Sequence, residues 1–111
     1  MKALLALAVL LLATFPALGS ERVTVCAKYR ADYGWSKGYK VEATVTKGSE
    51  LNRATRSYDY TSYSTYVVIF WDRDEVSVIE MDWPTLSHMG TEGEDKRGVK
   101  WEISKSTSFC Y

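Results

Sequence analysis

Residues 63–81 read YSTYVVIFWDRDEVSVIEM, and this segment predicts a β-hairpin. Its first half ends in a continuous run of β-branched and aromatic residues, 67–71, as in a strand that is covered on both faces. The polar residues 72–74 (DRD) follow as a tight turn, and 75–81 (EVSVIEM) returns with an alternating pattern. We therefore predict antiparallel strands at 63–71 and 75–81.

Three further segments alternate between apolar and polar residues, as half-buried antiparallel strands do. They are 22–30 (RVTVCAKYR), 39–46 (YKVEATVT) and 99–105 (VKWEISK). The first two are separated by 32–38 (DYGWSKG), a turn with two glycines, so we predict a second hairpin there. The residues predicted to face inward are Val23, Val25, Ala27, Tyr29, Tyr39, Val41, Ala43, Val45, Val99, Trp101 and Ile103.

The connecting segments lack this alternation. Residues 48–57 (GSELNRATRS) have helical spacing without a good capping box, which fits either one helical turn or a loose strand. In 82–90 (DWPTLSHMG), Asp82 can cap a helix and Gly90 can end it, so a short helix is predicted. Residues 90–98 (GTEGEDKRG) are expected to form a polar, mobile loop.

Five strands of this length favour a mostly β fold: a small antiparallel five-stranded barrel or curled sheet with one or two short helical turns. A two-layer α+β roll is the alternative if the segment around Leu51 is a true helix. The chain shows no internal repeat or linker, so one domain is expected over 20–111.

The N-terminal residues 1–19 have the pattern of a cleavable signal peptide. Lys2 precedes an unbroken apolar run over 3–13, and small residues at 17 and 19 set up cleavage before Ser20. The apolar run is short for a membrane span, and no other segment approaches the ~18 residues that one needs. The short signal with its single lysine favours export to the bacterial periplasm, with secretion as the alternative, and no membrane association after cleavage.

The two cysteines, Cys26 and Cys110, lie at opposite ends of the predicted domain. In an exported protein such a pair indicates a disulfide, and the absence of a C-x-x-C motif argues against a redox role. The bond would close a loop of about 85 residues, worth roughly 4 to 5 kcal/mol in the chain-entropy description.

The charge pattern argues against nucleic acid as a partner. The chain has fourteen basic and fourteen acidic residues, and cleavage would remove one lysine, Lys2, and no acid. The two signs are interspersed, so there is no basic face of the kind that phosphate backbones require.

Catalytic and metal-binding patterns are absent from the sequence, so no catalytic residue, metal or cofactor is predicted. The single histidine, His88, has only the adjacent Ser87 as a nearby nucleophile, and neighbours on a helix do not face each other. Two groups of acidic residues are interpreted as solvent-exposed turns, because neither has the spacing of a calcium-binding loop. They are Asp72, Asp74 and Glu75, and Glu92, Glu94 and Asp95.

Aromatic content is the unusual feature, with eight tyrosines and four tryptophans. Tyr58, Tyr60 and Tyr63 lie within six residues, and Tyr33 and Trp35 lie in the first hairpin turn. Exposed tyrosine and tryptophan often mark binding surfaces, although aromatic residues also fill small β cores. We take these five residues as candidate contact residues.

These observations predict a small exported module without catalytic activity that binds a protein, as an inhibitor or an immunity protein does. The alternative is a module that binds a glycan or the cell wall through Tyr33 and Trp35. A small hydrolase that uses His88 is the third hypothesis.

Overall fold

The computed structural model describes residues 20–111, which form a small antiparallel β-barrel. The predicted signal peptide, 1–19, lies outside the described residues. Seven strands and one helix are found within the described part of the chain. Their bounds are β1 (Glu21–Ala31), β2 (Gly34–Trp35), β3 (Tyr39–Lys47), α1 (Gly48–Thr55), β4 (Thr65–Asp72), β5 (Glu75–Met81), β6 (Thr91–Asp95) and β7 (Lys100–Ser104).

Six of these strands close the barrel. From β3 onward each strand pairs with the next one, β1 pairs with β3, and β7 returns to pair with β1 from Cys26↔Ser104 to Tyr29↔Trp101. Strand β2 lies outside the barrel and pairs with the end of β1. The predicted barrel is therefore confirmed with six strands where the sequence predicted five, and the α+β roll is wrong because the sheet closes on itself.

The interior follows the predicted alternation. The largest fully buried side chains are Val25, Val67, Ile69, Ile79 and Ile103, and Trp101 and Ala43 are buried beside them. Most of the other residues predicted to face inward pack against this core while partly exposed: Val23, Tyr29, Val41, Val45 and Val99. Because successive strand side chains point to opposite faces, one apolar residue in every two suffices to fill so small a barrel.

Strand β4 is covered on both faces along most of its length. Residues 65–69 are all buried, so the two-sided covering predicted for 67–71 is confirmed over 67–69. Phe70 is 72% exposed on the outer face, so the two-sided covering ends before the turn at 72–74.

Helix α1 resolves the question that the sequence left open at 48–57 in favour of a helix. It begins without a side-chain cap and ends at Arg56, which has a left-handed backbone with φ of 54°. Its final turn is completed by the amide of Ser57, which donates to the carbonyl of Asn52 at 2.9 Å. The helix connects β3 to β4 on the outside of the barrel, where it contacts β3.

The helix predicted at 82–90 is wrong, because this segment forms bends instead. Thr91 Oγ1 accepts from the Ser87 amide at 3.0 Å, and the carbonyl of Ser87 accepts from the Lys105 amide at 3.0 Å. These bonds connect the segment to the ends of β6 and β7. The amide and carbonyl of Ser87 are therefore not available for the hydrogen bonds of a helix. Leu86 is thereby placed in the core.

The loop predicted at 90–98 is also wrong over most of its length, since β6 occupies Thr91–Asp95. The inward positions of β6 are Thr91 and Gly93, which are buried without being large or apolar. A Cβ at Gly93 would lie 2.6 Å from the carbonyl oxygen of Glu80, so β5 and β6 approach more closely there than any side chain allows.

The predicted disulfide joins Cys26 in β1 to Cys110 near the C-terminus, with a Cα–Cα distance of 5.7 Å. Cys26 points away from the barrel interior but is only 4% exposed, because the C-terminal segment covers it. No helix within residues 20–111 combines the length and hydropathy needed to cross a membrane.

Candidate functional site

The predicted tyrosine cluster lies on residues 56–64, which we call the tyrosine loop. Asn52 of α1 fixes its centre: the side-chain Nδ2 donates to the carbonyl of Tyr60 and Oδ1 accepts from the Tyr60 amide, both at 2.9 Å. The hydroxyl of Tyr66 in β4 accepts from the Thr61 amide at 2.9 Å. The loop is therefore held at its centre from both the helix and the barrel.

The two ends of the tyrosine loop are also held. At its start the Ser57 amide donates to the Asn52 carbonyl at 2.9 Å, and two further bonds hold its C-terminal end. The amides of Gly48 and Ser49 donate to the carbonyls of Ser64 and Ser62 at 2.9 and 3.0 Å. A Cβ at Gly48 would overlap the carbonyl oxygen of Thr61, so the start of α1 and the loop pack backbone against backbone. The backbone of the loop is therefore fixed, and its exposed side chains project from a rigid support.

The three tyrosines of the loop have different environments. Tyr58 is 99% exposed and Tyr63 is 84% exposed. Tyr60 packs edge-on against Tyr66 with a centroid distance of 5.3 Å, and Lys96 Nζ lies 4.4 Å from its ring centroid. Tyr58 and Tyr63 are thus available for contact, while Tyr60 holds the loop onto the outer face of β4.

Tyr33 and Trp35, the other predicted contact residues, lie in the β1–β3 hairpin. Tyr33 is 80% exposed. Trp35 is half-buried, and the guanidinium of Arg30 lies 5.4 Å from its ring centroid. These two residues lie far from the tyrosine loop, because the hairpin turn precedes β3 and α1 follows it, at opposite ends of the strand.

A cavity of about 540 Å³ opens at the end of the barrel that carries the hairpin turn. Four aromatic rings from four strands line it: Tyr29 of β1, Tyr39 of β3, Trp71 of β4 and Trp101 of β7. The exposed side chains of Arg30, Arg97 and Glu75 also border it. Leu86, which lies between β5 and β6 at the opposite end, is buried in the core.

The four rings contact one another in a closed cycle. Tyr29 stacks near Tyr39 at 6.3 Å, and Tyr39 meets Trp71 edge-on at 5.6 Å. Trp71 stacks near Trp101 at 6.0 Å across the barrel, and Trp101 returns to Tyr29 at 5.6 Å. These separations leave no slot between rings, so the cycle forms the floor of the cavity and a ligand would lie on it.

Both indole N–H groups of this floor are used within the protein. Trp71 Nε1 donates to Ser77 Oγ and Trp101 Nε1 donates to Asp95 Oδ2, each at 2.9 Å. Tyr29 and Tyr39 have no hydroxyl hydrogen bond to another described residue, and Lys37 Nζ lies 5.2 Å from the ring centroid of Tyr39. The polar contacts left for a ligand are the two phenol hydroxyls and the charged groups around the opening.

Asp95 orients Trp101 and also forms the β6–β7 turn. Its Oδ1 accepts from the amides of Arg97 and Val99 at 2.9 and 3.0 Å. Burial raises the pKa of the Asp95 carboxyl, but the Trp101 indole, these amides and the Arg97 guanidinium outweigh it, so the pKa lies below its usual range. The carboxylate is therefore ionised and fully engaged beside the cavity.

Sequence reasoning missed this cavity although it placed three of its rings. Tyr29, Tyr39 and Trp101 were predicted to face inward, but only as core. The available signal was that each inward aromatic stands at the turn-proximal end of its strand. The contact between Trp71 and Trp101 depends on barrel closure, which no local pattern encodes.

The remaining sequence candidates stay apart. The side chain of His88 is exposed and makes no hydrogen bond to another described residue. Asp72, Asp74 and Glu75 lie around the β4–β5 turn, while Glu92, Glu94 and Asp95 belong to β6. Over residues 20–111, no three His, Cys, Asp or Glu side chains are grouped to hold a metal ion.

No family model, curated protein or solved structure matches this chain.

Proposed function

We propose that this chain is an exported module without catalytic activity that binds another protein, as an inhibitor or an immunity protein does. The observation that carries the proposal is the pair Tyr58 and Tyr63, 99% and 84% exposed on a loop anchored at its centre and at both ends. Tyrosine offers a large contact area and a polar tip with few rotatable bonds, so little entropy is lost when a partner covers it.

Export is part of the proposal. A disulfide in a domain of this size is consistent with an oxidising compartment. Intact mass of the protein purified from the periplasm of an expressing cell tests the proposed processing. We expect a mass that begins at Ser20, with both thiols unreactive until reduction. A retained N-terminus or two reactive thiols would remove the argument for the envelope compartment.

The protein-binding surface is tested with the double variant Tyr58→Ser/Tyr63→Ser. Immobilised wild-type domain is used to capture partners from a cell-envelope extract, and captured proteins are quantified by mass spectrometry. We expect the partner to be lost at least about tenfold in the variant, because two central aromatic anchors often carry more than ~1.4 kcal/mol of binding free energy. The matched control is Tyr33→Ser, which removes an equally exposed tyrosine from another surface.

The two variants together decide the proposal. A partner that both variants capture as well as the wild type does would show that the tyrosine loop is not the contact surface. Tyr60 is left out of the test because it packs on Tyr66, so its removal would loosen the loop itself.

Glycan binding is the second candidate, and one observation favours it. Tyr33 and the half-buried Trp35 stand at the barrel end that opens into the aromatic cavity, and sugar rings stack on such aromatic faces. Retention of the pure domain on peptidoglycan or an insoluble polysaccharide, lost in Tyr33→Ser/Trp35→Ser, is the expected result for this candidate. Protein binding through the tyrosine loop predicts no retention.

A further inference from the structure

We propose that the open end of the barrel is a binding site for a small organic anion with a flat aromatic ring, such as an aromatic carboxylate. The site is separate from the tyrosine loop. Its volume of about 540 Å³ falls within the range of roughly 300–1,000 Å³ that small-molecule sites occupy.

The floor of the cavity selects for a flat ring. This floor is an aromatic surface made by Tyr29, Tyr39, Trp71 and Trp101. The N–H groups of the two indoles already donate to partners inside the protein. An apolar ring laid on the two indoles covers no unsatisfied donor, so its burial there is not opposed by lost hydrogen bonds, and the phenol hydroxyls of Tyr29 and Tyr39 are left for polar contacts. Aromatic contacts add to the area effect in offset or edge-on geometries.

The opening selects for a negative charge. The guanidinium groups of Arg30 and Arg97 border the cavity together with the carboxylate of Glu75. Arg97 pairs with Asp95 at 3.5 Å, whereas Arg30 has no carboxylate partner among the described residues. The other nearby acid, Asp95, is occupied by four donors and is not available to a ligand. Lys37 Nζ, 5.2 Å from the ring centroid of Tyr39, is a further cation at this end of the barrel, although it does not border the cavity. Arginine binds carboxylates through two parallel N–H donors, which suits an acid group held above the ring.

The test uses 2-naphthoate as the probe and the indole N–H resonances of uniformly ¹⁵N-labelled protein as the readout. The chain has four tryptophans, of which Trp71 and Trp101 line the cavity while Trp83 is 69% exposed elsewhere. The Trp35→Phe and Trp83→Phe variants assign the resonances. We expect the Trp71 and Trp101 resonances to shift saturably with a Kd of about 1 mM or tighter, and that of Trp83 to stay unchanged.

Two further probes test the contributions of the negative charge and of the flat ring separately. The cation 2-naphthylmethylamine has the same ring, and cyclohexanecarboxylate has the same charge without a flat ring; we expect each to bind at least about fivefold more weakly. Arg30→Gln and Arg97→Gln should each weaken 2-naphthoate by about threefold to fivefold, as for partly exposed ion pairs. The control Arg22→Gln removes an exposed arginine that pairs with Glu42 on the barrel exterior, and it should bind normally.

Three results would overturn the proposal: no saturable shift of Trp71 and Trp101, an equal shift of Trp83, or tighter binding of the amine than of the carboxylate. The variant Tyr58→Ser/Tyr63→Ser should bind 2-naphthoate as the wild type does. Loss of protein capture and loss of ligand binding are therefore distinguishable.

Discussion

Asp95 connects the β6–β7 turn to the floor of the cavity, since one carboxylate serves two backbone amides and the Trp101 indole. In Asp95→Asn the charge is lost and one acceptor oxygen becomes a donor that faces other donors. We expect the free energy of unfolding at pH 7 to fall by about 1.5–3 kcal/mol, the range for hydrogen bonds to charged groups. Urea unfolding measures this, with Glu94→Gln, an exposed neighbouring acid, as the control.

The same residue gives a pH dependence with a defined sign. The pKa of Asp95 is lowered in the folded state, so its contribution is fully present above the unfolded pKa of about 3.9 and is lost as the pH falls through the folded value. The stability difference between wild type and Asp95→Asn should therefore be constant from pH 7 to about 5 and shrink below about pH 4. A difference that grew on acidification would contradict the assignment.

Gly93 marks the closest approach between β5 and β6. A Cβ there would lie 2.6 Å from the Glu80 carbonyl oxygen and 2.8 Å from Met81 Sδ, and the backbone oxygen cannot move aside as a flexible side chain can. We expect Gly93→Ala to destabilise the fold by about 1–3 kcal/mol through overpacking. Thermal unfolding checks this against Glu92→Ala, the outward-facing neighbour, which faces Glu102 across the sheet and should cost little.

Helix α1 ends on an arginine in the left-handed region, which costs backbone energy that glycine avoids. Arg56 is exposed, so its side chain contributes little packing. We expect Arg56→Gly to raise the free energy of unfolding by about 0.5–1 kcal/mol. The same substitution at Arg53, inside the helix, should lower it by a similar amount. Unfolding curves that rank the two variants in the opposite order would contradict this interpretation of the helix end.

The elements that sequence could predict are those whose buried positions are apolar and alternate. The inward positions of β1, β3 and β7 meet this condition, and their predicted bounds agree with the structure to within one residue. The bounds of β5 agree as well, although its first buried position is Ser77. Strand β6 does not meet the condition, because Thr91 and Gly93 fill its inward positions and carry no hydrophobic signal. The error at 82–90 has another cause. The amide of Asp82, the predicted cap, donates to the carbonyl of Glu92 in β6, and the carbonyl of Ser87 accepts from the Lys105 amide.

The candidate sites divide in the same way. The tyrosines of 58–63 were visible as a cluster, but the difference between exposed Tyr58 and supporting Tyr60 depends on Tyr66 and Lys96, which only the fold brings near. The cavity depends on Trp71 and Trp101 meeting across the barrel. The local sequence pattern determines on which face of its strand a residue lies. A site depends in addition on which strands the fold brings together.

Closure of the barrel leaves few unpaired strand edges, because β1 pairs with both β3 and β7. The first strand, β1, is therefore the partner of the last strand, β7, which closes the barrel. The disulfide fastens this same strand, through Cys26, to the C-terminal segment at Cys110. The bond therefore encloses almost the whole described domain in one covalent loop, with a sequence separation of 84.

A loop of this length has a large effect on the unfolded chain. In the chain-entropy description the bond is worth about 4–5 kcal/mol, compared with the roughly 5–14 kcal/mol that a domain of this size has in total. We expect Cys26→Ala/Cys110→Ala to lose a third or more of its free energy of unfolding in urea. Wild type unfolded in the presence of a thiol reductant is the matched control, because it keeps the cysteine side chains and should lose a similar amount. If the reduced protein unfolded at the same urea concentration as the oxidised one, the stability of the barrel would come from its core and strand pairing alone. The small interior would then have to supply what we attribute to the constraint on the unfolded chain.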